Sequence, residues 1–316
     1  MSIAWLFPGQ GSQFVGMCSD VVDASPAARS ILARADLALG ESLTSVILRG
    51  PEDRLTLTAN AQPALVATSC AVLAALGERL ANIPAPAFAA GHSLGEYSAL
   101  VAAGALSFED AIRLVRTRGR AMQEAVAPGV GAMSAIVGID TERLEAICAQ
   151  AAEGEVVAPA NFNAPGQIVV AGHAAAVARV GALVIGENGR AIPLRVSAPF
   201  HCALMAPAAL TLEEALTPID VATLRFPVVA NYDARAHADS SRVKDLLVRQ
   251  VDSPVRWDET VRFMVAQGVT HALEIGPGKV LAGLIKRVAK EMRVLSVGDI
   301  ASLERVPSFL DDAMSH

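Results

Sequence analysis

The stretch Gly91-His92-Ser93-Leu94-Gly95 constrains this chain more than any other. It follows the small apolar pair Ala89-Ala90 and precedes Glu96-Tyr97 and a helical pattern. Two glycines flanking a serine let the backbone turn sharply between a strand and a helix. Such a turn lifts the serine oxygen out of the sheet and sets it at a helix N-terminus. Gly-x-Ser-x-Gly by itself also suits an ordinary turn of small residues, so the remainder of the chain has to decide between the two.

The composition supports a buried sheet covered by helices. The 316 residues are 53% hydrophobic and only 4% aromatic, enough for one large α/β domain or a main domain carrying an inserted one. A net charge of −6 argues against nucleic acid as a partner, which calls for a basic surface. No apolar run is expected to approach the ~20 residues that cross a bilayer, so no membrane partner is expected. The first seven residues lack the basic segment and long apolar stretch of a signal peptide and read as the first strand. Cys18, Cys70, Cys148 and Cys202 show no Cys-x-x-Cys spacing, which predicts a reduced, cytoplasmic protein with no metal site.

A strand over 3–7 runs into Pro8-Gly9-Gln10-Gly11-Ser12-Gln13. The dinucleotide fingerprint fails because Phe14 stands where a third glycine is needed, yet the loop can still aim backbone N–H groups at an anionic centre. Ser25-Pro26 opens a helix that closes at Gly40. A second helix is expected over 62–80, starting at Gln62-Pro63, and a strand over 84–90 leads into the serine turn. The helix after Ser93 ends near Gly104, and Ser107-Phe108-Glu109-Asp110 starts another in a capping-box arrangement. That helix has Arg113, Arg116, Thr117, Arg120, Gln123 and Glu124 on a polar side, and Ala111, Leu114, Val115, Ala121, Met122 and Ala125 in an apolar stripe. Arg118 interrupts the stripe. A guanidinium on a buried face needs an anionic partner: a protein carboxylate, an escape to solvent by snorkelling, or a substrate carboxylate held in bidentate fashion.

From Gly131 the pattern becomes strand 132–139, helix 140–152, strand 156–162, turn 163–166, strand 167–171, helix 173–186 and strand 191–196. This β-α-β-β-α-β order is that of a ferredoxin-like unit of about 65 residues. Beyond it come a strand at 228–231, helices over 241–249 and 258–266, and a strand at 271–275. Gly276-Pro277-Gly278-Lys279 is no P-loop, since Val280 stands where Ser or Thr belongs. The tail after Ser302 is polar and expected to fray. The fold class is α/β: an α/β-hydrolase-like main domain over 1–128 and 197–316, with a ferredoxin-like βαββαβ subdomain inserted over 129–196.

A nucleophilic serine needs a base. His92 adjoins Ser93 and points elsewhere around a tight turn; His173 starts a helix; His237 and His316 lie in polar stretches; His271 opens a strand. His201, after Pro199-Phe200 at the exit of the inserted unit, sits on the irregular type of segment where catalytic groups are often placed.

These motifs together resemble the malonyl-CoA:acyl carrier protein transacylase family, related to the acyltransferase domains of polyketide synthases. The resemblance runs from about Ile3 to Val297. It rests on Phe7 to Gln13, Asn60-Ala61-Gln62-Pro63, Gly91 to Tyr97, Arg118-Gly119, Met122-Gln123, Asn161-Phe162-Asn163 with Pro165-Gly166-Gln167, Pro199-Phe200-His201-Cys202, and Glu274 to Gly278. It implies that Ser93 attacks the thioester of malonyl-CoA while His201 takes the hydroxyl proton. The backbone N–H groups of Gln10 and Leu94 would form the oxyanion hole, and Arg118 would clamp the malonyl carboxylate. The histidine would be oriented by a backbone carbonyl or an amide side chain at Gln250, with Asp233 and Asp252 as open alternatives. His92, Met122 and Phe200 would line the pocket, Phe200 narrowing it in favour of malonyl over methylmalonyl. The phosphopantetheine thiol of acyl carrier protein would then take the malonyl group from Ser93 in a ping-pong sequence, without a cofactor. Lys279, Lys286, Arg287, Lys290 and Arg293 are candidates for docking the acidic carrier, or equally a solvated helix face. A monomer serving fatty acid biosynthesis is expected, the alternative being a trans-acting acyltransferase or acyl hydrolase of a polyketide pathway.

Overall fold

The computed structural model describes residues 2–80, 83–194 and 196–314; His316 lies outside them. Ten strands occur among the described residues: β1 (Ile3–Phe7), β2 (Phe88–Gly91), β3 (Gly131–Val137), β4 (Val157–Ala164), β5 (Gln167–His173), β6 (Arg190–Pro193), β7 (Val228–Val229), β8 (Ala236–His237), β9 (His271–Ile275) and β10 (Arg293–Val297). They form a six-stranded sheet in the order β10-β9-β1-β2-β7-β8 and a four-stranded sheet in the order β4-β5-β3-β6.

β1 is the spine of the larger sheet. Its five residues are all buried. Ile3, Trp5 and Phe7 join the core on one face, and Ala4 and Leu6 the core on the other. A strand with period-two side chains reads as a continuous apolar run when helices cover both faces of a parallel sheet. β1 pairs in parallel with β2 and β9, β9 with β10, and β2 with β7; only β8 runs antiparallel. The register sets Phe7 opposite Gly91. The loops leaving β1, β2, β7 and β9 therefore emerge together at the carboxyl ends of the strands, the usual place for a site in an open α/β sheet.

The second sheet is antiparallel throughout. With the helices Thr141–Ala152 and Ala174–Gly186 between its strands it has the ferredoxin-like topology, inserted into an α/β-hydrolase-like main domain. Asp140 caps the first of these helices by accepting the Arg143 N–H at 2.8 Å. β6 ends at Pro193, with one further bond to β3 from the Leu194 N–H to the Met133 carbonyl at 3.0 Å; Arg195, within the stretch expected to be strand, lies outside the described residues.

Several expectations need correction. The helix expected to begin at Gln62-Pro63 begins at Thr58 and runs to Arg79, with Pro63 inside it. Its first turn is secured by the N–H groups of Asn60 and Ala61 on the Leu57 carbonyl, so the proline does not mark the start. At 22 residues this helix has the length and apolarity of a membrane span, contrary to the expectation that no run approaches it, but it is largely buried in the core. Ser107 caps its helix through the Asp110 N–H at 3.1 Å, yet the reciprocal half of a capping box is replaced by a 2.6 Å bond from its hydroxyl to the Asp110 carboxylate. Arg116, expected on the polar side, is buried and held by Asn60 and Glu41. The helices Ser19–Ala24, Leu43–Arg49, Glu52–Thr56, Ala206–Leu216 and Val280–Val288, and strands β8 and β10, were not anticipated.

The C-terminal tail departs most from expectation. Instead of fraying after Ser302 it forms the helix Val306–Met314, with Val306 and Leu310 in the main core and the Phe309 ring edge-on to His271 at 5.3 Å. Polar residues on its outer side mask this amphipathic pattern. Leu310→Ala should destabilise the protein by about 2 kcal/mol, the usual size for emptying a buried leucine site. Chemical denaturation measures this; a frayed tail predicts an unchanged midpoint.

Candidate active site

Ser93 sits where β2 gives way to the helix Gly95–Ala102, and its φ is +51°, in the left-handed region that L-residues rarely enter. Backbone packing imposes this turn. A Cβ on Gly91 would lie 1.9 Å from the Gly95 carbonyl carbon, and one on Gly95 would lie 2.3 Å from the Phe7 carbonyl oxygen. The ends of β1 and β2 and the start of the helix thus meet without side chains between them, which only glycine permits. Asn231, fully buried just beyond β7, clasps the turn from the other side. Its Oδ1 accepts the Ser93 N–H at 2.6 Å, and its Nδ2 donates to the Gly91 carbonyl at 2.7 Å.

His201 is brought to the serine by an equally unusual backbone, with φ +60°. Its Nε2 lies 2.7 Å from Ser93 Oγ, and its Nδ1 lies 2.8 Å from the Gln250 carbonyl oxygen. A carbonyl oxygen only accepts, so Nδ1 carries the proton and Nε2 offers its lone pair to the serine hydroxyl. The contact to Gln250 is through the backbone, not the side-chain amide. Asp233 instead pairs with His237 at 3.0 Å, and Asp252 takes the Ser253 hydroxyl at 3.3 Å. Burial, reinforced by the nearby Arg118 charge, pushes the His201 imidazole down to about 3.

Arg118 is 1% exposed. Its Nη1 donates to Gln62 Oε1 at 2.8 Å, and its Nη2 to Gln250 Oε1 at 2.9 Å and to Ser93 Oγ at 3.1 Å. The guanidinium lies 5.8 Å from the centre of the Tyr97 ring, and Nε has no hydrogen-bond partner among the described residues. Its hydrogen-bond acceptors are thus two amides and a hydroxyl, and it does not snorkel to solvent. Burial pulls its pKa below that of an ordinary arginine. A buried guanidinium held only by neutral groups is strongly disposed to take an anion.

Ser93, His201 and Arg118 line a cavity of about 330 Å³ together with Gln10, Gln62, His92, Met122 and Phe200. Leu94, next to Ser93, is buried. Neither the Gln10 nor the Leu94 N–H has an acceptor among the described residues. Gln10 Nε2 donates to Thr58 Oγ1 at 3.2 Å, which steadies the glycine-rich loop. His92 bonds Asn163 Oδ1 through Nε2 at 2.8 Å, and burial lowers its pKa. The loop after β9 braces this one. A Cβ on Gly276 would lie 2.4 Å from Ser69 Oγ and 3.0 Å from the Pro8 ring. The Glu274 carboxylate accepts the N–H groups of Leu281 at 2.8 Å and Ala282 at 3.1 Å, capping the next helix.

Of the remaining histidines, His173 accepts the Val156 N–H at 2.9 Å and His271 bonds Thr270 at 2.9 Å. Four free, buried cysteines are present, and among the described residues no cluster of His, Cys, Asp or Glu is placed to hold a metal. Sequence reasoning gave no role to Gln62, Glu96 or Asn231. The first two lie inside quoted motifs, whereas Asn231 carried only the signal of a polar residue closing an apolar strand.

The acyl transferase domain family matches residues 4–314. The malonyl CoA-acyl carrier protein transacylase of Haemophilus influenzae is 48% identical over 308 residues, covering 97% of this chain and 98% of that protein. The crystal structure of an acyl carrier protein S-malonyltransferase from Vibrio cholerae matches with a TM-score of 0.94 at 47% identity, over 97% of this chain and 100% of that one. A malonyl-transacylase solved in complex with its type II PKS acyl-carrier protein matches with a TM-score of 0.94 at 46% identity, over 98% of this chain and 100% of that one. The chain therefore belongs to the malonyl-CoA:acyl carrier protein transacylase family of acyl transferases.

Proposed function

We propose that this protein transfers the malonyl group from malonyl-CoA to the phosphopantetheine thiol of acyl carrier protein through a malonyl-Ser93 ester, for fatty acid biosynthesis in the cytoplasm. The observation that carries the reading is the buried Arg118, whose Nη2 lies 3.1 Å from the serine oxygen and whose hydrogen-bond partners among the described residues are two neutral amides and a hydroxyl. A hydrolase acting on plain acyl groups has no use for such a group beside its nucleophile.

In the first half-reaction His201 Nε2 takes the Ser93 hydroxyl proton as Oγ bonds to the thioester carbonyl carbon. The resulting oxyanion is received by the N–H groups of Gln10 and Leu94, a role supported by their having no acceptor among the described residues. Collapse breaks the C–S bond, and the departing coenzyme A sulfur takes the proton from the imidazolium. In the second half-reaction the carrier thiol gives its proton to His201 and attacks the ester carbonyl. The C–Oγ bond breaks, and Ser93 recovers the proton. Arg118 holds the malonyl carboxylate in both halves, and neither half calls for a cofactor.

Residues 1–128 and 197–316 are assigned to the catalytic domain and 129–196 to the small subdomain. The protein acts as a monomer. Phe200 and Met122 narrow the pocket beside the acyl group, favouring unsubstituted malonyl. The exposed cations Lys279, Lys286, Arg287, Lys290 and Arg293 offer the acidic carrier a complementary surface. The 46% identity to a transacylase that serves a type II PKS carrier supports a second reading, in which a polyketide carrier receives the malonyl group.

Mixing with malonyl-CoA should add one malonyl group, located at Ser93 by intact mass and peptide mapping; a Ser93→Ala variant that still acquires it refutes the mechanism. Arg118→Ala should slow malonyl transfer by about a hundredfold or more while changing acetyl transfer far less, as expected for loss of one partner of a buried charged contact. Equal losses assign Arg118 a purely structural part. His201 should remain neutral well below pH 5, because its native pKa of about 3 lies under the ordinary histidine value of 6.5. As pH falls below 6.5 the unfolded chain gains a proton there that the native state does not, so stability declines through that window. NMR titration of the labelled ring reads the native pKa directly, and a midpoint near 6.5 contradicts the burial argument.

A further inference from the structure

Glu96 lies three residues after Ser93, in the first turn of the helix behind the site, and is 3% exposed. Nothing in the transfer chemistry uses it. Its Oε2 accepts Gln250 Nε2 at 2.7 Å and the Asn231 backbone N–H at 2.9 Å. We propose that Glu96 is a positioning residue that fixes the sense of the Gln250 amide, and through it holds Arg118 where it selects acyl groups bearing a carboxylate. The proposal rests on Ser93 as acyl acceptor and Arg118 as clamp.

The two ends of a glutamine amide have nearly the same size and opposite hydrogen-bonding character. Here the Nε2 end faces two acceptors, the Ser93 carbonyl at 3.0 Å and the Glu96 carboxylate at 2.7 Å. The Oε1 end faces the Arg118 donor at 2.9 Å. Turning the amide over would set an oxygen against two oxygens and an NH₂ against the guanidinium. Of the two acceptors that forbid this, the carboxylate is the stronger, because charge-assisted bonds are about twice as strong as neutral ones. The Ser93 carbonyl is in addition shared with the Glu96 N–H at 3.1 Å. Since the Gln250 backbone carbonyl also orients His201, one residue joins the base to the clamp, and Glu96 sets the direction of its side chain.

The carboxylate is placed so that its charge is adjustable. Burial raises Glu96 to about 7, against the lowering effect of the Asn231 and Gln250 bonds and of Arg118. The other groups facing it are Asp233 after β7, which raises it further, Tyr97 beside it on its own helix, and His237 of β8 across a small cavity. Above that pH Glu96 is an ionised acceptor; below it the group is neutral and its hold on Gln250 weakens. The malonyl carboxylate, an ordinary acid, stays ionised across the same range.

The test is single-turnover acylation of Ser93 by malonyl-CoA and by acetyl-CoA, read by intact mass over the range from about pH 5.5 to about pH 9. In the unaltered protein the malonyl-to-acetyl rate ratio should fall about tenfold as pH drops through 7, the size expected when a bond to a charged group is weakened. Glu96→Gln should give a ratio independent of pH, at the low-pH value of the unaltered protein, with a melting temperature close to the original. In a Gln250→Ala background the same substitution should change the ratio less than about twofold, since Glu96 acts through that amide. A Glu96→Gln ratio equal to that of the unaltered protein at high pH overturns the proposal, as does an equal loss with both substrates. Should Glu96→Gln fail to fold, the unaltered protein decides alone: a ratio that does not change with pH overturns the proposal. Absence of any Ser93 adduct in the unaltered protein refutes the acyl-transfer reading itself, a result distinct from an adduct formed with unchanged selectivity.

Discussion

The site depends on a contact between backbones. Three segments far apart in sequence, the ends of β1 and β2 and the start of the helix Gly95–Ala102, approach so closely that a single methyl group would overlap a carbonyl at 2.3 Å or less. This approach forces Ser93 into positive φ. A strained residue persists only when its surroundings over-determine it, and here both the N–H and the carbonyl of Ser93 are engaged, by Asn231 and by Gln250. The reward is positional. The serine oxygen is fixed 2.7 Å from His201 Nε2 while the neighbouring Leu94 N–H has no acceptor among the described residues. Leu310 and the C-terminal helix matter to this arrangement at one remove, by closing the core on the face of the sheet to which Ile3, Trp5 and Phe7 belong.

The second constraint is electrostatic and comes from the same burial. Excluding water from the cavity floor leaves Arg118 charged among neutral hydrogen-bond acceptors and drives His201 to a low pKa, with the Arg118 charge further disfavouring the imidazolium. A low-pKa imidazole is a weak base, so the free site is poorly suited to activating Ser93 indiscriminately. An acyl group that brings its own carboxylate supplies the missing anion, offsets the Arg118 charge, and lets the imidazole accept a proton more readily. Under the proposed reaction, recognition and activation are then the same electrostatic event. Selectivity should accordingly appear in the rate of acylation as much as in binding.

Much of this was legible in the sequence, and the parts that were not have a common cause. The elbow was visible because two glycines and a serine are a local signature of a local turn. Arg118 stood out because a charge in an apolar helical stripe violates its own surroundings. The ferredoxin-like insertion could be read from alternating periodicities, with its helix starts marked by residues such as Asp140. Asn231, by contrast, acts on Ser93 across 138 positions, and Gln250, which only the family resemblance pointed to, across 157. Each looks locally like an unremarkable polar residue beside apolar ones. Their importance exists only once β7 and the helix Val243–Asp252 are folded against the elbow. The tail beyond Ser302 failed for the opposite reason: its propensity is weak, and tertiary packing against β10 makes the helix.

Gln250 shows most clearly why pairwise reading of such a site falls short. Under the proposed reaction a histidine-orienting role and a substrate clamp would call for separate supports, yet one residue would serve both, through its main chain to His201 and its side chain to Arg118. Any displacement of the helix Val243–Asp252 would therefore disturb base and clamp together, whereas a change in the amide alone would spare the carbonyl on His201 and disturb the clamp and the hold on the Ser93 carbonyl. Substitutions at Gln250 and at the apolar buried residues of the same helix, such as Leu247 and Val251, should differ in kind. The former should alter acyl preference, and the latter should lower reactivity toward every acyl group alike.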